Sequence, residues 1–360
     1  MNAAAFSAIH KREPIHYVGP INPPVIAGQK AWSKIRRVTG SQGSFFFFSE
    51  RRLQKIADEV HSKCRADARL DFFHGFTPWI AARSQRPYIA WSDCTFRDYV
   101  DIYHRRQEFN RDDLERIEHA EAEWLRRADR VLFTSNWAVE RAVHDYALDA
   151  GRVASVGIFG ETEMPARDAY AGRKEFVFVS TNFEAKGGPV VLVAFRELKK
   201  LHPDASLVIV GAQPPRGASE PGVSSTGFLR KEVPEEHRRF REILAGARAI
   251  ISATSSDICP LLLVEAGYFG CPVISTRRFA IPEIVDDGRT GFLLDDSADP
   301  VALAGTMSRM LERTDEYGQM REAAWAKARG QHSKLKFEQQ LRASVYDFDR
   351  EHTCPHASVS

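Results

Sequence analysis

Apolar runs long enough for a strand, each followed by a polar turn and then an amphipathic segment, recur along this chain. FVFVS (176–180) leads into TNFEAKGG and the helical pattern PVVLVAFRELKK; SLVIVG (206–211) and AIISAT (249–254) are runs of the same kind, and RVLFTSNWAVERAV (130–143) repeats the plan in the first half. Strands apolar on both faces need cover on both faces, and strands separated by helices run parallel. The pattern therefore predicts an α/β fold of parallel sheets flanked by helices. With 360 residues the chain exceeds what one core usually holds, so two domains are expected. The polar stretch EMPARDAYAGRKE (163–175) reads as the linker, giving domains 1–165 and 172–333, then a final helix and polar tail at 334–360. IHYVGP (15–20) reads as a short first strand.

Charge and cysteine usage narrow the partners. Lys and Arg total 50 against 48 Asp and Glu, a net charge of +2, which supplies no field to attract a polyanion such as nucleic acid. Five cysteines, odd in number and without a CxxC pair, fit neither a disulfide framework nor a structural zinc site. No apolar run reaches the ~18 residues of a membrane span, and MNAAAFSAIHKREP lacks a signal-peptide core, so a cytoplasmic protein is expected. SFFFFSERR (44–52) suits either a peripheral membrane contact or, the preferred reading, burial in the first core.

Chemistry-bearing residues gather where strands end. His74 and Asp93 sit where the strand-like runs ARLDFFHGF (68–76) and RPYIAWSDCTF (86–96) break into polar or small residues, and ligands of open α/β sheets collect at such carboxyl ends. Lys186 lies in a strand-to-helix turn before Gly187 and Gly188, which admit close approach of a ligand, and a cation beside a helix N-terminus suits phosphate oxygens. Neither GxxxxGK nor GxGxxG occurs. Around residue 260, Pro260 suits a first helical turn, which would turn the amides of Leu261 and Leu262 outward as a second phosphate-facing N-terminus. Glu265 sits in a very apolar segment. A carboxylate there needs a partner, and a ligand hydroxyl would serve.

The ordered set FVFVSTNFEAKGG, SLVIVG, RAIISAT, VEAGYFGCPVIST and IPEIVDDGRTGFLLDD resembles the fourth family of retaining nucleotide-sugar glycosyltransferases, whose fold is GT-B. The likeness covers about residues 175 to 313. It implies two Rossmann-like domains with parallel sheets facing across a cleft. It also implies transfer of a sugar, with retention and without metal or cofactor, from a nucleotide sugar such as a UDP- or GDP-sugar to a glycan, glycolipid or small-molecule acceptor. By similarity Lys186 would bind the donor diphosphate with Asn182 and Gly187 in the same turn, Asp257 the sugar, Glu265 the ribose or sugar hydroxyls, and Phe228 would flank the base. His74 matches a family histidine, and Asp93 corresponds roughly to a second one near the reacting carbon. The sequence departs from the family at Thr181 (an Arg), at Ile258-Cys259-Pro260 (Gly-Phe-Gly) and at Phe279-Ala280 (paired glycines). These departures, with the short N-terminal side, motivate the alternative of a non-catalytic GT-B protein that binds a glycan, nucleotide or partner enzyme.

Overall fold

The computed structural model describes residues 14–25, 28, 42–168, 170–211, 220–296 and 298–353. The tail from 354 with Cys354, and most of the GAQPP exit from the strand at 206–211, lie outside the described residues. The chain divides into two compact units, one of residues 1–157 with 338–360 and one of residues 158–337.

In the first unit, α1 (Glu50–Lys63) precedes β1 (Asp71–His74), β2 (Tyr88–Ser92), α2 (Phe96–Tyr103), α3 (Arg111–Arg127), β3 (Arg130–Phe133), α4 (Asn136–Tyr146) and β4 (Val153–Ser155). The strands form one parallel sheet in chain order. β2 and β3 are apolar because they occupy the middle of it, and Trp91, Ile89 and Leu132 are sealed from solvent. Asn110 accepts the Asp113 amide at the start of α3, and Ser135 accepts the Ala138 amide at the start of α4, which caps both helices. Residues 15–20 form no strand: Tyr17 is 68% exposed, and Pro20 has no amide to donate. In the Phe run, Phe45 packs against Phe96 and Phe109 and Phe46 is buried, while Phe47 is the exposed member. Its main role is packing in the core.

At the centre of this unit sits a carboxylate that the sequence did not flag. Glu121 of α3 is fully buried. It accepts the Thr77 hydroxyl (2.7 Å), the Phe96 amide (2.6 Å) and the Tyr146 hydroxyl (2.9 Å), tying the segment after β1, the start of α2 and the end of α4 to one point. These donors favour the charged form, yet burial outweighs them and holds the acid's pKa up at about 7.

The second unit carries β5 (Glu175–Ser180), α5 (Gly188–Leu201), β6 (Ser206–Gly211), β7 (Val223–Gly227), α6 (Pro234–Gly246), β8 (Ala249–Ser252), α7 (Leu261–Tyr268), β9 (Val273–Thr276), α8 (Ile281–Ile284), β10 (Gly291–Leu294), α9 (Pro300–Glu312) and α10 (Thr314–Gln331). α11 (Lys334–Thr353) begins at its end. The sheet order is β10-β9-β8-β5-β6-β7, parallel throughout. The polar stretch 163–175 is not a free linker, because Asp168 pairs with Arg321 of α10 through two hydrogen bonds at 2.6 and 2.8 Å. Its polarity is used internally, which composition alone does not show. α10 also escaped sequence reading: its buried face is Tyr317, Met320, Arg321, Ala324 and Ala328, and an arginine and two alanines give a faint apolar stripe. Among the described residues no helix is long and apolar enough to cross a membrane.

Because folded Glu121 keeps its proton to about pH 7 whereas the unfolded chain releases it near 4.5, the folded state binds more protons between those values and loses stability as pH rises through them. The expected loss is on the order of 3 kcal/mol. Urea unfolding followed by tryptophan fluorescence reports mainly the first unit, since Trp79, Trp91, Trp124 and Trp137 lie there and Trp325 alone lies in the second. Glu121→Gln should flatten this slope.

Candidate functional site

The order of the second sheet decides where a ligand would sit. From β5 the chain proceeds outward through β6 and β7, then returns to β8 beside β5 and proceeds the other way through β9 and β10. The connections leaving β5 and β8 therefore diverge and open a crevice at the carboxyl ends of these two strands. Both segments singled out by sequence, 181–187 and 253–260, leave from that point.

The turn after β5 is self-closed. Asn182 accepts the Lys186 amide at its carbonyl (3.1 Å) and the Ala185 amide at its side-chain oxygen (3.2 Å), so this side chain shapes the turn. Lys186 reaches across to the β8 loop, where its Nζ donates to Asp257 Oδ2 at 2.7 Å and to the Ser256 carbonyl at 3.3 Å. The two residues that similarity assigns to diphosphate and sugar are thus joined to each other. Both remain about 30% exposed, which leaves the pair open to exchange with an incoming anion.

The glycines beside Lys186 have an internal reason to be glycine. Gly187 has φ +82°, and a Cβ on it would lie 2.3 Å from the Ala253 carbonyl oxygen of the neighbouring loop. A Cβ on Gly188 would lie 2.5 Å from the Phe183 ring. Sequence reading attributed them to close approach of a ligand; the atoms that approach belong to the protein. Gly187 caps α5, and Pro189 follows in its first turn.

Across the crevice, α7 starts at Leu261 with Pro260 as its N-cap, one position before the first-turn place expected. Leu261 and Leu262 are its first two residues, half-buried, and their amides have no carbonyl four residues back within the helix. Glu265, one turn on, is 2% exposed. Its Oε1 accepts the Glu161 amide (3.0 Å), the Thr162 amide and hydroxyl (3.1 Å each) and the Lys231 ammonium (2.7 Å). The partner it needed is supplied by the chain. Gly160 allows this, since a Cβ there would sit 2.6 Å from Glu265 Cγ, and its amide donates to the Tyr268 hydroxyl at 2.8 Å. Lys231, Glu161 and Thr162 were missed by sequence reading. Lys231 does follow Gly227-Phe228 closely, but a lone lysine in a loop carries no distinguishing signal. Phe228, between β7 and Lys231, is 64% exposed.

The first unit holds the other two named residues. His74 ends β1 and Asp93 follows β2, adjacent parallel strands, so both lie at carboxyl ends as expected. The His74 ring meets Trp91 edge-on at 4.9 Å. Desolvation lowers its pKa and the Asp93 charge opposes this, so the imidazole is neutral near pH 7. Among the described residues no three His, Cys, Asp or Glu side chains gather in a group that would hold a metal ion.

Residues 160–327 match the family model of Glycosyl transferases group 1, a stretch that takes in nearly all of the second unit. A D-inositol 3-phosphate glycosyltransferase of Acidothermus cellulolyticus is 28% identical over 53% of this chain and 48% of its own length. A GDP-mannose-dependent alpha-(1-6)-phosphatidylinositol monomannoside mannosyltransferase of Mycolicibacterium smegmatis is 27% identical over 47% of this chain and 49% of its own length. The chain thus spans about half the length of these curated relatives. Among solved structures, Anabaena HepE in complex with UDP superposes with TM-score 0.60 at 16% identity, covering 82% of each chain. Sucrose-phosphate synthase of Thermosynechococcus elongatus gives 0.64 at 14% identity, covering 84% of this chain and 80% of that one. These neighbours establish the GT-B fold.

Gly187→Ala should destabilise the second unit by at least about 1–3 kcal/mol, the cost of a left-handed non-glycine residue before the clash with Ala253 is added. Urea unfolding followed by far-ultraviolet circular dichroism checks this; a midpoint equal to wild type would show that the turn and the β8 loop separate freely.

Proposed function

We propose, taking as premise the match of the second unit to Glycosyl transferases group 1, that this chain transfers a sugar from a nucleoside diphosphate donor to an acceptor with retention of configuration. The observation that carries this reading is the Lys186–Asp257 pair at the switch point of the sheet, between the N-termini of α5 and α7. A diphosphate entering there would take the ammonium from Asp257 and meet the amides of Leu261 and Leu262, whose helix dipole acts in the same sense. Asp257, released, would accept hydroxyls of the sugar. Glu265 would receive ribose hydroxyls while Lys231 keeps its buried charge compensated. Phe228 is exposed in the loop that would face the base.

Departure of the diphosphate develops negative charge on the phosphate oxygens. Lys186 and the two helix N-termini would stabilise that charge, so the protein needs no metal for this step. In a front-face retaining transfer the leaving phosphate oxygen takes the acceptor proton, and the new glycosidic bond forms on the side the phosphate leaves. His74 and Asp93, at the carboxyl ends of β1 and β2, are proposed as acceptor-side residues of the first unit. HepE was solved with UDP and the mycobacterial relative uses GDP-mannose by name, so both bases belong in the test. Acceptors of the glycan, glycolipid and small-molecule classes remain in the proposal.

Loss of a charge-assisted hydrogen bond costs about 1.5–3 kcal/mol, so Lys186→Ala should weaken UDP or GDP binding roughly 10- to 100-fold by isothermal titration. Glu265→Ala should weaken it as well. Unchanged affinity in both variants would remove the site assignment. Asp257→Asn, which frees Lys186, should bind the bare nucleotide more tightly yet slow sugar release from a panel of UDP- and GDP-sugars. The anomeric configuration of the product, read by proton NMR, decides retention.

A further inference from the structure

In the first unit a recess of about 530 Å³ opens at the amino-terminal end of β2, between the 82–87 loop and the last turn of α3. It is lined by three arginines, Arg83, Arg86 and Arg127, against one carboxylate, Asp129. The acids at hand are already engaged. Asp129 Oδ2 accepts the Tyr88 amide at 3.0 Å, and Asp71 Oδ2 accepts the Ser84 hydroxyl at 2.7 Å. Arg86 is fixed by the carbonyls of Arg65 and Ala68 at 2.7 and 2.9 Å and lies 3.8 Å from Asp71. Arg83 and Arg127 are exposed and form no ion pair among the described residues, and Arg127 faces the Tyr88 hydroxyl. Elsewhere in this unit arginines are commonly paired, as in Arg65–Asp67, Arg106–Glu118, Arg116–Asp113 and Arg141–Asp98. Two uncompensated guanidinium groups sharing one recess is therefore a local exception.

We infer that this recess is a second ligand site, for a small soluble molecule bearing a phosphate or diphosphate group. A guanidinium fork matches phosphate oxygens two at a time, the anion relieves the mutual repulsion of the arginines, and the volume suits a small metabolite. The recess is distinct from the proposed reaction site. β2 carries Asp93 beyond its other end, about 16 Å away at ~3.3 Å per residue over its length, so the ligand acts as an effector and not as the sugar acceptor.

Inorganic pyrophosphate is the probe, titrated calorimetrically into the full chain. Wild type should show two classes of site, one competed by UDP or GDP and one not. Arg83→Gln/Arg127→Gln should weaken the uncompeted class at least tenfold and leave nucleotide binding unchanged, while Lys186→Ala should affect only the competed class. Both arginines are exposed, so folding is preserved, and an unchanged tryptophan-fluorescence unfolding midpoint verifies it. Absence of the uncompeted class, its persistence in the arginine variant, or an equal loss in the control pair Arg238→Ala/Arg289→Ala, which would reflect net charge alone, overturns the assignment. Loss of the competed class alone in wild type bears on the donor site and leaves this inference standing.

Discussion

The reversal of chain direction across the second sheet, between β5 and β8, is the constraint on which the candidate site depends. Two strands that are neighbours in space and distant in sequence send their connections to opposite sides, and their carboxyl ends cannot be covered by either connection. Lys186 and Asp257 are 71 residues apart and meet at 2.7 Å for this reason. The same reversal aims the N-termini of α5 and α7 into one crevice. Positive charge is thereby assembled from backbone dipoles and one side chain without burying an unpaired cation.

Glu265 shows how the unit stabilises a carboxylate nearly sealed from water. An isolated buried carboxylate costs many kcal/mol, so this one is met by two amides, a hydroxyl and an ammonium. Three of the four come from residues 161 and 162, immediately after the start of the compact unit at 158. The first residues of the unit are thus fastened to the helix beside the crevice. Glu121 in the first unit meets the same difficulty without a cation: hydroxyls and one amide are its partners, and burial raises its pKa. Glu121 joins three segments of its unit.

Much of the fold was legible because parallel strands buried on both faces have to be apolar throughout, and such runs stand out. The pairing Lys186–Asp257 was legible as two candidates, since each lies in a polar break after such a run. What escaped is what polar chemistry does inside the protein. The stretch 163–175 looked like a linker because it is polar, with Pro and Gly and little apolar periodicity, and Arg321, the partner of its Asp168, is 153 residues away. Lys231 escaped for the same reason. The expected strand at 15–20 had apolar residues, but Tyr17 is exposed and Pro20 lacks an amide. Gly187 and Gly188 were read as admitting the close approach of a ligand, and the atoms that crowd them are those of Ala253 and Phe183, which no local pattern reveals.

The departures from the family pattern are also explained by backbone geometry. Where paired glycines are usual, Phe279 has φ +52°, the left-handed region that glycine adopts freely and phenylalanine adopts at a cost of about 1–3 kcal/mol. The Ala280 amide donates to the Ile258 carbonyl at 3.1 Å, so this strained turn is bonded to the loop that carries Asp257. Ile258 is 1% exposed and Pro260 is buried, so the substituted positions of that loop point partly into the core instead of lining the crevice. The loop's backbone is bonded to Phe279-Ala280 through the Ala280 amide. A strained backbone persists only where its surroundings over-determine it. Here the surroundings are the walls of the crevice, and the strain is a sign that their shape is maintained.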